Sequence, residues 1–472
     1  MVSTHSVFLV FLIDTMLEAS MKPTFLALIF IAINCSFFPN ASQASVESRL
    51  LHARHLSEAR NNAPAMMPAT LPLHSTKAIT TAKSEGLALL AVAGTSMQTV
   101  RRDGEAEAKL LEVYRLVGLG QIKLAMTKAE VLVKAHPNFQ LAQLVYGDLL
   151  SSRSRPVRIM GDVPESTARL AAPALAELRE ESLMRLKALR ERPPPGTIPS
   201  QFLLLPPRSR HAIAVDASRS RLYLFENTST GLHLLADYYI SVGKSGVEKM
   251  TDGDLRTPLG VYFITGSVNP KALKDFYGAG ALPINYPNPL DTRRGKTGYG
   301  IWLHGTPPNQ FARPPKASDG CVVLANPDLQ FIMGRVEIRS TPVVIATSLN
   351  WVQPQSVHPE VSAFEAVLQG WRKAKSNGNL PSTLSYYASD FNNNGRDITA
   401  YAPIVRKEIE KASGREIALK ELSVLRWTDS LADTMVVTFG EVVEGSITGP
   451  KKRQYWTRQG SQWKIFFEGI IG

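Results

Sequence analysis

Two residue types in this 472-residue chain stand out for the chemistry they could do together. An apolar run, Ile301-Trp302-Leu303, delivers His304 and then Gly305; further on, the turn Ser318-Asp319-Gly320 presents Cys321 ahead of a second apolar run, Val322-Val323-Leu324. A thiol attacks an acyl carbon well only as thiolate, and a neighbouring imidazole both accepts its proton and stabilises the charge. Small residues before the cysteine let the backbone turn tightly and aim amide N–H groups at one point, as an oxyanion hole requires; losing one such donor costs about 2.7–4 kcal/mol in known cases. Alone, His304 reads as a structural histidine at a strand end and Ser-Asp-Gly as an ordinary turn. The combination points to cysteine acyl transfer.

The other cysteine, Cys35, sits in a segment with its own logic. Met21-Lys22 precedes the apolar run Phe25 to Ile33 and then Ser42-Gln43-Ala44, the positive, apolar and small-residue order of a secretory signal peptide cleaved near Ala44. The apolar stretch is short for a membrane span. Cleavage leaves Cys321 as the sole exported thiol, unable to form an internal disulfide. The formal net charge of +12 rises by one when Lys22, Asp14 and Glu18 depart. A basic exported protein suits an anionic partner such as cell wall. Its basic residues are scattered, apart from a small cluster at Lys451-Lys452-Arg453.

The elements that must position the pair fall into three blocks. Residues 45–104 are irregular and read as linker. From 105 to 192 the period is helical: Leu110, Leu111 and Tyr114, then Leu124, Ala125, Ala129 and Leu132, then Leu141, Leu144 and Val145 after the turn His136-Pro137-Asn138. This resembles one tetratricopeptide repeat. A further helix over about 164–192 would pack through Leu175, Leu178, Leu186 and Leu189. The prolines of 193–209 read as a linker. Over 210–348 the period switches toward two, with strands at Ala212 to Asp216, Leu222 to Phe225, Leu234 to Val242, Gly260 to Thr265 and Pro342 to Ala346. Over 356–472 two helices, Val361 to Trp371 and Ala402 to Ala412, precede strands at Ile417 to Trp427, Thr434 to Val443, Arg453 to Arg458 and Trp463 to Glu468, an α+β order. That pattern resembles the cone-shaped nuclear transport factor 2 (NTF2) superfamily. The fold class expected is therefore multidomain: a mostly-β catalytic domain flanked by an all-α amino-terminal region and an α+β cone.

His304-Gly305 followed by Ser318-x-Gly320-Cys321-Val322 resembles the signature of the L,D-transpeptidase catalytic (YkuD) domain. Upstream Val215-Asp216, Arg221 to Phe225, Val242-Gly243-Lys244 and Gly253-Asp254-x-Arg256-Thr257-Pro258-x-Gly260 follow in the family's order. The resemblance implies that Cys321 attacks a tetrapeptide stem of peptidoglycan and expels D-alanine. It makes His304 base and then acid, and the Gly305 carbonyl the group that orients His304. Backbone amides near Gly320 and Cys321 would bind the oxyanion, with Ser318, Asp319 and Arg313 as further oxyanion or substrate residues; no metal or cofactor is implied. Many members carry arginine two positions after the cysteine, where this chain has Val323, and histidine where it has Asp319. Arg256, Arg293, Arg294 and Arg313 are candidate replacements for that arginine. An unpaired Asp319 would disfavour the thiolate. With an amine acceptor the enzyme crosslinks or attaches proteins; with water it is a hydrolase. A non-catalytic wall-binding scaffold is the reading from another class. Partners expected are stem peptides and, through the flanking modules, other cell-wall proteins, not nucleic acid. The compartment expected is the periplasm or envelope of a bacterium.

Overall fold

The structure is a computed structural model that describes residues 104–412 and 414–471. The expected signal peptide and almost all of the expected linker lie outside the described residues.

Four helices come first: α1 (Glu105–Gly118), α2 (Ile122–Ala135), α3 (Gln140–Ser151) and α4 (Glu165–Arg190). Leu110, Leu111 and Tyr114 of α1, Ala125, Ala129 and Leu132 of α2, and Leu141 and Val145 of α3 are buried together. Leu124 and Leu189, counted above on the apolar faces, are exposed instead, because α2 and α4 each bury a narrower stripe than their leucines suggest.

A charged joint binds this module to the next. Arg185 of α4 pairs with Glu107 of α1 at 2.9 Å and with Glu181 at 2.7 Å. Glu107 also takes Arg221 at 2.7 Å, and Arg221 reaches Asp237 at 2.8 Å. Buried charges persist only when paired and hydrogen-bonded in this way.

The proline-rich stretch after α4 does more than link. It contributes β1 (Ile198–Pro199) and β2 (Phe202–Leu204), which join strands far along the chain. Proline sits in β1 because a short edge pairing leaves its missing N–H unneeded.

The central sheet has nine strands. β3 (His211–Asp216), β4 (Arg221–Thr228) and β5 (Gly231–Gly243) form a meander. β6 (Gly260–Phe263), β7 (Ala281–Pro283), the short helix α5 (Pro289–Arg293), β8 (Trp302–His304), β9 (Lys316–Ser318), β10 (Val322–Leu324), helix α6 (Asn326–Met333) and β11 (Pro342–Ala346) follow. The order is β6-β11-β3-β4-β5-β10-β8-β7, with β9 on the end of β5. Every residue of β3 is buried, so the sheet is covered on both faces. Ile213 and Val215 enter the domain's own core, while Ala212 and Ala214 face the carboxyl-terminal unit, where small side chains allow close approach.

That unit begins after β12 (Trp351–Val352), the partner of β1. Helices α7 (His358–Ser376), α8 (Leu380–Leu384) and α9 (Ile398–Ala412) precede four antiparallel strands, β13 (Ile417–Thr428), β14 (Asp433–Val443), β15 (Lys451–Gln459) and β16 (Gln462–Ile470). β2 extends this sheet beyond β13. The basic cluster of β15 is not a surface patch: Lys452 and Arg453 are both buried. Strand alternation turns them to opposite faces, Lys452 into a cluster of glutamates beneath the helices and Arg453 onto Phe263 of the central sheet, 3.2 Å from its ring centre.

Candidate active site

β10 runs parallel to β8 with Val322 opposite Leu303 and Val323 opposite His304. Extending the register by one puts Cys321 opposite Trp302. His304 lies two residues along β8 and therefore on the same face. The pairing of two three-residue strands thus sets His304 and Cys321 on one face of the sheet.

His304 is 1% exposed. Its Nδ1 lies 2.7 Å from the Gly305 carbonyl, which accepts only from a protonated nitrogen; this fixes the tautomer and leaves Nε2 with its lone pair. Burial pushes the imidazole pKa down to about 4, although the bond to Gly305 opposes the shift. The ring is walled by Tyr277 at 5.0 Å and Phe276 at 5.9 Å between centroids. Cys321 is half-buried. Burial pushes its thiol up to about 11, against the Trp302 backbone N–H and the Arg313 charge, which favour the thiolate. Both groups thus favour their neutral forms, and attack by this thiol would need proton transfer to accompany it.

Gly320 and Gly305 are sterically required. Gly320 has φ +124°, and a Cβ there would lie 2.8 Å from the Arg256 carbonyl oxygen; at Gly305 it would lie 2.0 Å from Asn326 Oδ1. The Ser318 hydroxyl donates to the Cys321 carbonyl at 2.6 Å and accepts the Gly320 N–H at 3.1 Å. The Gly320 amide and the Ser318 hydroxyl are consumed in closing the turn, leaving the Cys321 amide as the candidate donor.

Comparison with known proteins agrees with this geometry. Residues 210–345 match the L,D-transpeptidase catalytic domain family, YkuD, and residues 363–469 match the Cds6 C-terminal NTF2-like domain family. Residues 210–345 are a YkuD domain. Among solved structures, Bd1075 of Bdellovibrio bacteriovorus is similar at 23% identity and a TM-score of 0.50, over 58% of this chain and 98% of that one. The helical cell shape determining protein Pgp2 of Campylobacter jejuni is similar at 20% identity and a TM-score of 0.45, over 61% of this chain and 99% of that one. No curated protein matches the chain.

Within the YkuD domain, the four arginines considered for the place of Val323 separate cleanly. Arg293 pairs with Asp390 and Arg294 with Asp429, both in the NTF2-like domain. Arg256 donates to the Val247 carbonyl and faces solvent. Arg313 is buried, and its charge acts on both His304 and Cys321. It stacks on Phe276 at 4.2 Å, donates to the Phe276 carbonyl at 3.4 Å and keeps a buried Nε with no hydrogen-bond partner among the described residues. Asp319 is not unpaired; it meets Lys244 at 2.9 Å, with both side chains exposed. Asp254 accepts from Lys249 and from the Met250, Thr251 and Arg256 amides. Against a burial that would raise it, these donors hold its pKa at about 2; it shapes the loop beside the thiol.

Sequence reasoning missed Asn326. Its Oδ1 accepts the Ala279 and Thr306 amides at 2.8 and 3.2 Å, and its Nδ2 donates to the Thr306 carbonyl at 2.8 Å. It ties the loop carrying Phe276 and Tyr277 to the loop leaving His304. Its position at the start of α6, just past the motif's second strand, was the available signal.

Proposed function

We propose that this protein is an exported peptidoglycan L,D-transpeptidase. Residues 210–345 match the family of L,D-transpeptidase catalytic domains, which supports a peptidoglycan-related acyl transfer. Acyl transfer through a Cys321 thioester is supported by one observation: His304 Nδ1 is committed to the Gly305 carbonyl, so Nε2 is the basic atom on the face shared with Cys321.

In this mechanism Nε2 takes the thiol proton as sulfur bonds to the acyl carbon of the tetrapeptide stem. The tetrahedral oxyanion meets the Cys321 amide. Collapse breaks the C–N bond, and Nε2 returns the proton to the departing D-alanine amine. An acceptor amine then attacks the thioester, His304 taking its proton, and the thiol is regenerated. Arg313, buried and with no salt bridge to an acidic residue among the described residues, fits a stem carboxylate. Such carboxylates supply the anionic partner that the basic charge of the chain favours.

Intact-protein mass spectrometry of the purified protein with tetrapeptide-stem muropeptide, beside Cys321→Ala, tests this. A Cys321-dependent tripeptidyl adduct with released D-alanine is expected. Amine acceptors added next give transfer product, whereas accumulation of free tripeptide stem in their presence would reassign the enzyme as a hydrolase. Folded protein giving neither adduct nor D-alanine would return the wall-binding scaffold as the better reading.

A further inference from the structure

The loop of residues 306–313 leads from His304 toward β9 and carries Arg313, and it is gripped from outside the YkuD domain. Asn138, in the turn between α2 and α3, donates through Nδ2 to the Pro308 carbonyl at 3.0 Å, and its own carbonyl accepts the Phe311 amide at 3.0 Å. Gln140 Nε2 donates to the Asn309 carbonyl at 3.1 Å. Phe139, 1% exposed, stacks on Phe311 with ring centroids 4.3 Å apart, and His136 meets the same ring edge-on at 5.3 Å. Within the loop, Thr306 Oγ1 donates to the Phe311 carbonyl at 3.3 Å.

The grip continues to the site. Two residues past Phe311, the Arg313 carbonyl accepts the Tyr239 hydroxyl at 2.9 Å, and the Tyr239 ring lies 4.0 Å beneath the Arg185 guanidinium of α4. The Arg313 guanidinium rests on Phe276, whose ring lies against His304. A helical spacer could touch the catalytic domain anywhere; this one concentrates side-chain bonds and its most buried aromatic on the loop between base and nucleophile. We propose that the α2–α3 turn is a positioning element of the active site, in which Phe139 and Asn138 hold residues 306–313 so that Arg313 stays packed on Phe276 beside His304 and Cys321. The proposal rests on the transpeptidase reading for its effect on turnover, but not for its effect on the thiol. Arg313 and Lys249 favour the thiolate and Asp319 opposes it, so displacing Arg313 alters how readily Cys321 ionises.

The test uses the full-length protein and reads two quantities: the pH profile of Cys321 alkylation by iodoacetamide, and kcat and KM for D-alanine release. Arg313→Ala sets the reference shift. Phe139→Ala is expected to slow alkylation at neutral pH about three- to tenfold, the equivalent of up to about one pKa unit, in the same direction as Arg313→Ala, and to lower kcat more than it raises KM. Phe139→Leu, which keeps apolar bulk against Phe311, restores most of both. Asn138→Ala with Gln140→Ala removes two loop bonds without opening the helical core, moves both readouts less, and decides the matter where Phe139→Ala does not fold. The proposal is overturned if Arg313→Ala shifts the alkylation profile while the turn variants leave it at wild type, or if Arg313→Ala shifts nothing. Wild-type protein that alkylates normally yet releases no D-alanine sinks the transpeptidase reading, and the alkylation profiles still decide the positioning role.

Discussion

The candidate site and the interior of the NTF2-like domain both enclose ionisable groups, His304 fully and Cys321 by about half, and treat them in opposite ways. Beneath α7 and α9, Lys375 and Lys452 are each 1% exposed and share Glu408 and Glu441, while Glu468 accepts from Lys452, Gln454, Tyr387 and Tyr401. Burial alone would strip the Lys452 charge, but Glu468, Glu441 and Glu408 outweigh it and hold the pKa well above the ordinary value. In the YkuD domain, His304 and Cys321 form no salt bridge among the described residues, and burial outweighs the nearby charge of Arg313 and drives both toward the neutral form. A network whose charges are all answered specifies structure. A pair whose charged forms are only partly answered keeps that capacity for a substrate.

The largest break in the comparison is Cys321→Ala. It should lower D-alanine release by at least about 10³-fold while leaving the urea midpoint within a few tenths of a molar of wild type, because no buried charge loses its partner. Lys452→Met should do the reverse, costing about 3–5 kcal/mol by leaving buried carboxylates unanswered, with Cys321 alkylation in the surviving folded fraction unchanged. Pairing it with Glu468→Leu sharpens the point. The double variant should lose less than the sum of the two single losses, and strict additivity in urea titrations would mean that the two residues do not act as one network.

The two regions were not equally legible. Cys321 and His304 stood out because a turn of small residues and an apolar strand end are local features, and the four carboxyl-terminal strands followed from alternation. The burial of Lys452 and Arg453 had no local sign in a run of three basic residues; the pairing of β15 between β14 and β16 buries the two on opposite faces. The strands at 198–204 were hidden by their prolines, and their partners lie at Trp351 and Val424. The grip of Asn138 on Pro308 spans 170 residues of sequence, and nothing local encodes it. Local chemistry was readable, and long-range pairing was not.

His304 gives the contrast a pH signature. Folded, it takes a proton near pH 4, whereas the ordinary value is 6.5. Between these the unfolded chain binds more protons, so stability present above pH 6.5 is lost as pH falls toward 4, by about 3 kcal/mol in all. His304→Gln should remove that part of the slope. Equal slopes for wild type and variant in urea titrations from pH 7 to 4 would show that the imidazole is not held neutral by burial. Asn326→Ala should act more weakly on stability, by about 2 kcal/mol for the lost bonds to Ala279 and Thr306, and should lower turnover as well, because both loops around His304 lose their tie.

The smallest expected effect tests whether charge near the thiol still matters when it is solvated. Lys244 and Asp319 form an exposed pair, of the kind worth about 0–1 kcal/mol, so Lys244→Ala should leave the melting temperature unchanged. Its consequence is kinetic: Asp319 favours the neutral thiol, and without Lys244 its charge is less offset. Alkylation of Cys321 should slow by less than about threefold at low ionic strength, and the gap should close near 1 M salt, where the screening length falls to about 3 Å. Arg313→Ala should keep its deficit at that salt concentration, because a buried charge is screened far less than an exposed one. If the two variants lost their effects together as salt rises, Arg313 would be acting through solvent, and the distinction between an enclosed site and an open rim would fail.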